Sequence, residues 1–226
     1  MISSTIPTVR ALLQARQASP PSPDTRVLVV AMPQTPGQAD LPGAAQEAVT
    51  LEHLLAGRVD VLGLPSTAPA TYATVTASLP GHTWVHFACH GQSDLTDPSA
   101  SHLLLTDYQS QPLTVVDLTQ ARLEGVQLAF LSACTTARTG TDLPDEPIHL
   151  AAACQLAGYR HVIATLWPIS DADTAWLTKR FYTSIAAISA PTTAAAATAL
   201  HNATRRLRSI NRTHPSHWAP YTHAGP

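Results

Sequence analysis

Apolar residues run almost unbroken through 26–32 (RVLVVAM), 83–89 (TWVHFAC), 126–133 (VQLAFLSA) and 161–166 (HVIATL). Runs of this length, rich in β-branched and aromatic side chains, predict strands buried on both faces. Residues 58–64 (RVDVLGL) alternate apolar with polar, and 102–106 (HLLLT) predict one more short strand. Between these runs, apolar positions recur at helical spacing over 44–56, 71–79, 115–121, 148–157, 171–187 and 191–208. Gly57, Pro80-Gly81 and Gly158 stop three of these helices, and Asp171 is expected to cap the fifth. Strands alternating with helices of this length predict a mostly parallel central sheet covered on both faces, a three-layer α/β/α sandwich. The end, 214–221, reads as loop or edge strand. Residues 5–18 predict a short helix and 19–24 (SPPSPD) an extended linker, so 1–25 reads as a tail and 26–226 as one domain.

Composition narrows the function classes. The 226 residues are 45% hydrophobic, enough for one sizeable α/β core, and the net charge of −2 gives no electrostatic case for a nucleic-acid or membrane partner. Lys179 is the only lysine among thirteen basic residues, a bias that reads as coding preference rather than as a binding feature. The three cysteines form no CxxC and no disulfide framework, which points to a reducing, cytoplasmic setting. No basic-then-apolar leader begins the chain, and no apolar stretch reaches the roughly 18 residues of a membrane span. GxSxG, GxxxxGK[ST] and an acid-followed GxGxxG are all absent, which leaves serine hydrolase, P-loop and Rossmann readings without support.

In an open parallel sheet, sites form outside the carboxyl ends of the strands. Two predicted strands deliver chemistry there: 83–89 runs into His90-Gly91, and 126–133 into Cys134. A cysteine nucleophile needs a base to form its thiolate, and histidine supplies one. The backbone N–H groups of Gly91 and Cys134 could together hold an oxyanion. The plain alternative is a buried structural thiol at Cys134 and an ordinary loop histidine at His90. His82, His86 and His90 share one strand face but span about 27 Å, too far for one ion, so no metal is expected. His86 is expected to pack beneath the site, and Cys89 and Cys154 to be core thiols, Cys89 facing away from His90.

The segments His86-Phe87-Ala88-Cys89-His90-Gly91, Leu103-Leu104-Leu105-Thr106-Asp107 and Leu131-Ser132-Ala133-Cys134 resemble the CHAT domain family. These are caspase- and separase-like cysteine peptidase domains, often fused to TPR repeats. The resemblance continues through Val162 to Ile169, Asp171, Asp173-Thr174, Phe181-Tyr182, His214-Pro215 and Trp218-Ala219. It implies a caspase-like fold, His90 as catalytic base, Cys134 as nucleophile, and cleavage of a protein or peptide substrate without metal or organic cofactor. It also implies a regulatory partner or an upstream helical repeat domain. The stretch 166–173 (LWPISDAD) is similar to the separase segment whose acid receives an arginine at P1. Carried over, this puts Asp171 in the substrate pocket with a preference for Arg or Lys, with Trp167 as a wall and Asp107 as the second acidic candidate. The plain readings are a helix cap for Asp171 and a turn residue for Asp107. Where the family has a Glu-Gly-x-x-Gly-Leu turn, this chain has Glu146-Pro147-Ile148-His149-Leu150, and both glycines are replaced. A catalytically latent or inactive interaction module is the alternative function.

Overall fold

The computed structural model describes residues 2–6, 8–17, 25–94, 96–133, 150–187 and 195–226. A six-stranded sheet forms the middle layer, in the order β2-β1-β3-β7-β8-β9. Its strands are β1 (Val27–Ala31), β2 (Val59–Leu62), β3 (Trp84–Ala88), β7 (Leu128–Ser132), β8 (His161–Thr165) and β9 (Tyr221–Ala224). The first five run parallel and β9 closes the edge antiparallel to β8. The four apolar runs became β1, β3, β7 and β8, and every residue in them is buried. The edge strand β9 alternates buried with partly exposed positions, and β2 is partly exposed or exposed at every position except Leu62, as an edge beside solvent allows. On β2, Arg26 and His82 both bond Asp60, and they hold its carboxyl below the usual carboxylate range.

Side-chain alternation splits the core in two. Leu28, Val30, Val85, Phe87, Ala129, Leu131, Val162 and Ala164 face one helical layer: α3 (Tyr72–Ser78), α4 (Val115–Gln120) and α5 (Leu150–Ala157). Val27, Val29, Trp84, Leu128, Phe130 and Ile163 face the other: α2 (Pro42–Leu54), α6 (Asp171–Ala186) and α7 (Ala196–Ile210). Helix starts follow local chemistry. Pro42 occupies the first turn of α2, Thr71 and Thr114 form capping boxes for α3 and α4, and Ser170 caps α6. Asp171, expected to be the α6 cap, is instead the first helical residue, because the smaller Ser170 already takes the Asp173 N–H.

Two features were not predicted. The chain after β3 forms a second, antiparallel sheet of β4 (His90–Gln92), β5 (His102–Leu104) and β6 (Leu113–Thr114). β5 lies within the short strand expected at 102–106, whereas β4 and β6, of three and two residues, carry too little alternation to be read from sequence. The expected tail also meets the domain. The Thr5 N–H bonds the His223 carbonyl at 2.9 Å, Thr5 returns a bond from the Gly225 N–H at 3.1 Å, and Ala11 and Ala15 of α1 (Val9–Gln17) are buried. The proposed linker at 19–24, and the start of the helix predicted from Pro191, lie outside the described residues.

That terminal contact carries a buried histidine pair. The Ser4 hydroxyl donates to the Gly225 carbonyl, so it accepts from His223 Nδ1, and His223 Nε2 then accepts from His161 Nδ1 at 3.0 Å. Burial keeps both rings neutral at pH 7. Burial pushes His161 down to about 3, helped by His223, and pushes His223 down to about 4. A neutral buried histidine contributes stability that is fully present above its unfolded value near 6.5 and is lost as pH falls toward the folded value. Each one costs about 1.4 kcal/mol per pH unit inside that window. The urea midpoint is expected to fall steeply between pH 6.5 and pH 4, and His223→Gln to flatten that slope. A midpoint independent of pH over this range would contradict the assignment.

Candidate active site

β3 and β7 are neighbours, and Ala88 pairs with Ser132 at their carboxyl ends. His90 follows Ala88 by two residues, and Cys134 follows Ser132 by two. Cys134 itself lies outside the described residues, as do the acidic run 142–146 and the Glu146–His149 departure from the family turn. His90 is partly exposed, and its Nε2 contacts the Ala39 carbonyl at 2.8 Å, in the loop that leads into α2. Gly91 pairs with Leu103 across the small sheet. Cys89, one residue earlier, points into the opposite core layer.

The other thiols are poor nucleophiles. Cys154 is fully buried, and burial pushes its thiol up to about 12. Cys89 is 1% exposed. The three histidines of the 82–90 run have separate partners: Asp60 and the Ser78 carbonyl for His82, Glu47 and Tyr182 for His86, and the Ala39 carbonyl for His90. Among the described residues, no cluster of three or more His, Cys, Asp or Glu could hold a metal ion.

A narrow cleft opens where β3 and β7 end. Ala88, Cys89, Ser132 and Ala133 form its sheet side, Leu41, Ala44 and Glu47 its α2 side, and Ile169, Asp171 and Thr174 its α6 side. It encloses only ≈ 30 Å³, the room of about one water molecule. Asp171 reaches the cleft because of Gly43. Its Oδ2 accepts the Gly43 N–H at 2.6 Å, and a Cβ at Gly43 would meet Asp171 Oδ1 at 2.4 Å. The carboxylate thus accepts an N–H from the first turn of α2, and the partly exposed Asp171 lines the cleft between that turn and α6.

The remaining sequence candidates sit elsewhere. Asp107 accepts the Tyr72 N–H at 2.9 and 3.2 Å, so it anchors the first turn of α3. Trp167 donates its Nε1–H to the Ser216 carbonyl at 3.1 Å, and the cleft wall in that segment is Ile169 instead. Two cleft residues were not read from the sequence. Glu47 is 2% exposed on the apolar face of α2 that also carries Ala44, Ala48 and Leu51, and Ser132 is 9% exposed beside it. The available signal was a lone acid in an apolar helical stripe, with a histidine inside an apolar strand to pair it.

A mostly parallel six-stranded sheet between two helical layers is the architecture of caspase-like folds. The chain belongs to the CHAT domain family, whose profile matches residues 2–226. Solved structures agree on the fold. The Arg specific cysteine proteinase gingipain R (RgpB) aligns with a TM-score of 0.62 at 14% identity, over 96% of this chain and 50% of that one. The complex of the Porphyromonas gingivalis RgpB pro- and mature domains aligns at 0.61 and 14%, over 95% and 51%. The Saccharomyces cerevisiae separase–securin complex aligns at 0.64 and 13%, over 100% of this chain and 14% of that one. The chain therefore spans about half of the gingipain chains and about a seventh of the separase chain. No curated protein matches it by sequence. No helix among the described residues is long and apolar enough to cross a membrane.

Proposed function

We propose that this protein is a cysteine endopeptidase in which Cys134 attacks the scissile carbonyl and His90 takes the thiol proton, later passing it to the leaving amine. The observation that carries this reading is the Ala88–Ser132 register, which brings the two strand ends out side by side on strands about 4.8 Å apart. The N–H groups of Gly91 and Cys134 hold the oxyanion. Asp171 receives a basic P1 side chain, because a carboxylate on a narrow cleft pairs best with a cation. The substrate is a protein or peptide segment, and neither metal nor organic cofactor takes part.

The size of the cleft favours a second reading of the resting state. At ≈ 30 Å³ the cleft is small for an arginine side chain, which favours a resting state that widens as P1 enters. The isolated chain then rests mostly closed and reacts slowly, and a regulatory partner that opens the cleft raises its rate. A peptide library bearing a C-terminal electrophile tests both points. Adducts are expected with Arg or Lys at P1, and Asp171→Asn is expected to lower kcat/KM for these peptides by about 10–100-fold through KM, with little effect on neutral P1 peptides. An unchanged P1 profile in that variant would remove Asp171 from the substrate pocket.

A further inference from the structure

Beneath the cleft, five polar side chains from four elements meet inside an apolar layer. Ser132 Oγ donates to Glu47 Oε1 at 2.9 Å, and Thr178 Oγ1 donates to Oε2 at 2.7 Å. His86 Nε2 lies 2.8 Å from Oε2, and the Tyr182 hydroxyl lies 3.2 Å from His86 Nδ1. One proton assignment satisfies every member: His86 carries its proton on Nε2 and donates it to Glu47, while Tyr182 donates to Nδ1. The Phe130 ring lies tilted against the His86 ring at 4.9 Å, so the cluster is walled by aromatic carbon.

Such a cluster is an expensive way to hold a sheet. Apolar residues of the same volume commonly hold a core as well or better than a buried charged group with its partners. Its location suggests another use. Ser132 ends β7 two residues before Cys134, and His86 lies on β3 four residues before His90. Thr178 belongs to α6, whose first residue is Asp171. The same β7 end is held from its other side, where Thr165 Oγ1 of β8 donates to the Ala133 carbonyl at 2.8 Å.

We propose that Glu47 is a positioning residue, tying β3, β7 and α6 together at the point where the two strands lead out to His90 and Cys134. This rests on the peptidase reading above. A carboxylate with three directional bonds fixes both distance and orientation, where methyl groups would allow sliding. A shift of about 1 Å in the reacting groups can cost on the order of 100-fold in rate.

The test is a variant series assayed for Cys134 alkylation across pH and for peptide turnover, with values expressed per folded molecule from thermal unfolding. Ser132→Ala removes one tie and little volume, so it is expected to fold and to lose about 10-fold in kcat with KM within about twofold. Glu47→Ala is expected to lose about 100-fold. Glu47→Gln falls between them and the wild type, because the amide can accept from Ser132 and donate to Thr178, and to His86 once that ring changes tautomer. If Glu47→Ala does not fold, Thr178→Val supplies the second severed tie, and it is expected to share its loss with Ser132→Ala rather than add to it. Variants that lower the melting temperature but keep wild-type kcat and pH profile per folded molecule would overturn the proposal, as would Glu47→Gln proving as damaging as Glu47→Ala. If the wild-type protein shows no Cys134-dependent chemistry at all, the peptidase reading falls and takes this proposal with it. Wild-type chemistry with indifferent variants would sink this proposal alone.

Discussion

Cys134→Ala is expected to abolish cleavage and labelling by a peptidyl electrophile, a loss on the order of 1,000-fold or more, while the protein still unfolds at the wild-type temperature. In the proposed mechanism the sulfur is the atom that bonds the substrate, so no neighbour can replace it. Cys154 is closed off by burial, its thiol pushed up to about 12, and Cys89 is 1% exposed. His90→Ala is expected to cost nearly as much at neutral pH and to recover partly at alkaline pH, where solvent can form the thiolate. Because the two residues act as a unit, the double variant should be little worse than either single one. Intact-mass measurement after exposure to an electrophile reads all three variants. Equal labelling of Cys134→Ala and wild type would reject the nucleophile assignment.

Phe130→Ala is expected to destabilise the protein by about 3–5 kcal/mol, read as a lower urea midpoint. Phe130 is 1% exposed on β7, and its ring meets His86 at 4.9 Å, Phe181 at 5.2 Å and Tyr182 at 5.7 Å. These neighbours come from β3 and α6, elements anchored by the sheet and by packing against α2 and α7, so the site cannot collapse to fill the void. The cavity would also leave the Glu47–His86 cluster without its aromatic wall, and water reaching those groups should loosen the β7 end. Phe130→Leu keeps most of the volume, and its cost should stay near 1 kcal/mol. A Phe130→Ala cost below about 1 kcal/mol would mean that this layer repacks freely, contrary to the close ring contacts.

How much of this was legible varied with the length of the signal. The four long apolar runs specified their strands, because a strand buried on both faces must be apolar at every position. The helices between them were legible to within a few residues for a similar reason, one stripe of each being apolar. The short β4 and β6 were hidden, since two or three residues show no period. Asp171 shows the limit most clearly. Its type and place beside Ser170 suited a cap for its own helix equally well, and only the approach of Gly43, 128 residues earlier, makes it a partner of the first turn of α2 at the cleft. Asp107 went the other way, to the first turn of α3, through a bond to Tyr72.

The sequence by itself determined the layered α/β/α fold, the family, and the two strand ends that carry His90 and Cys134, because local periodicity and short ordered motifs need no knowledge of long-range contacts. Only the tertiary structure decided which strands are neighbours, that Ala88 and Ser132 are in register, and that Glu47 gathers Ser132, His86 and Thr178 into one buried cluster. The cluster depends on bonds between residues 39 to 131 positions apart, where many partners are chemically acceptable and close packing selects one.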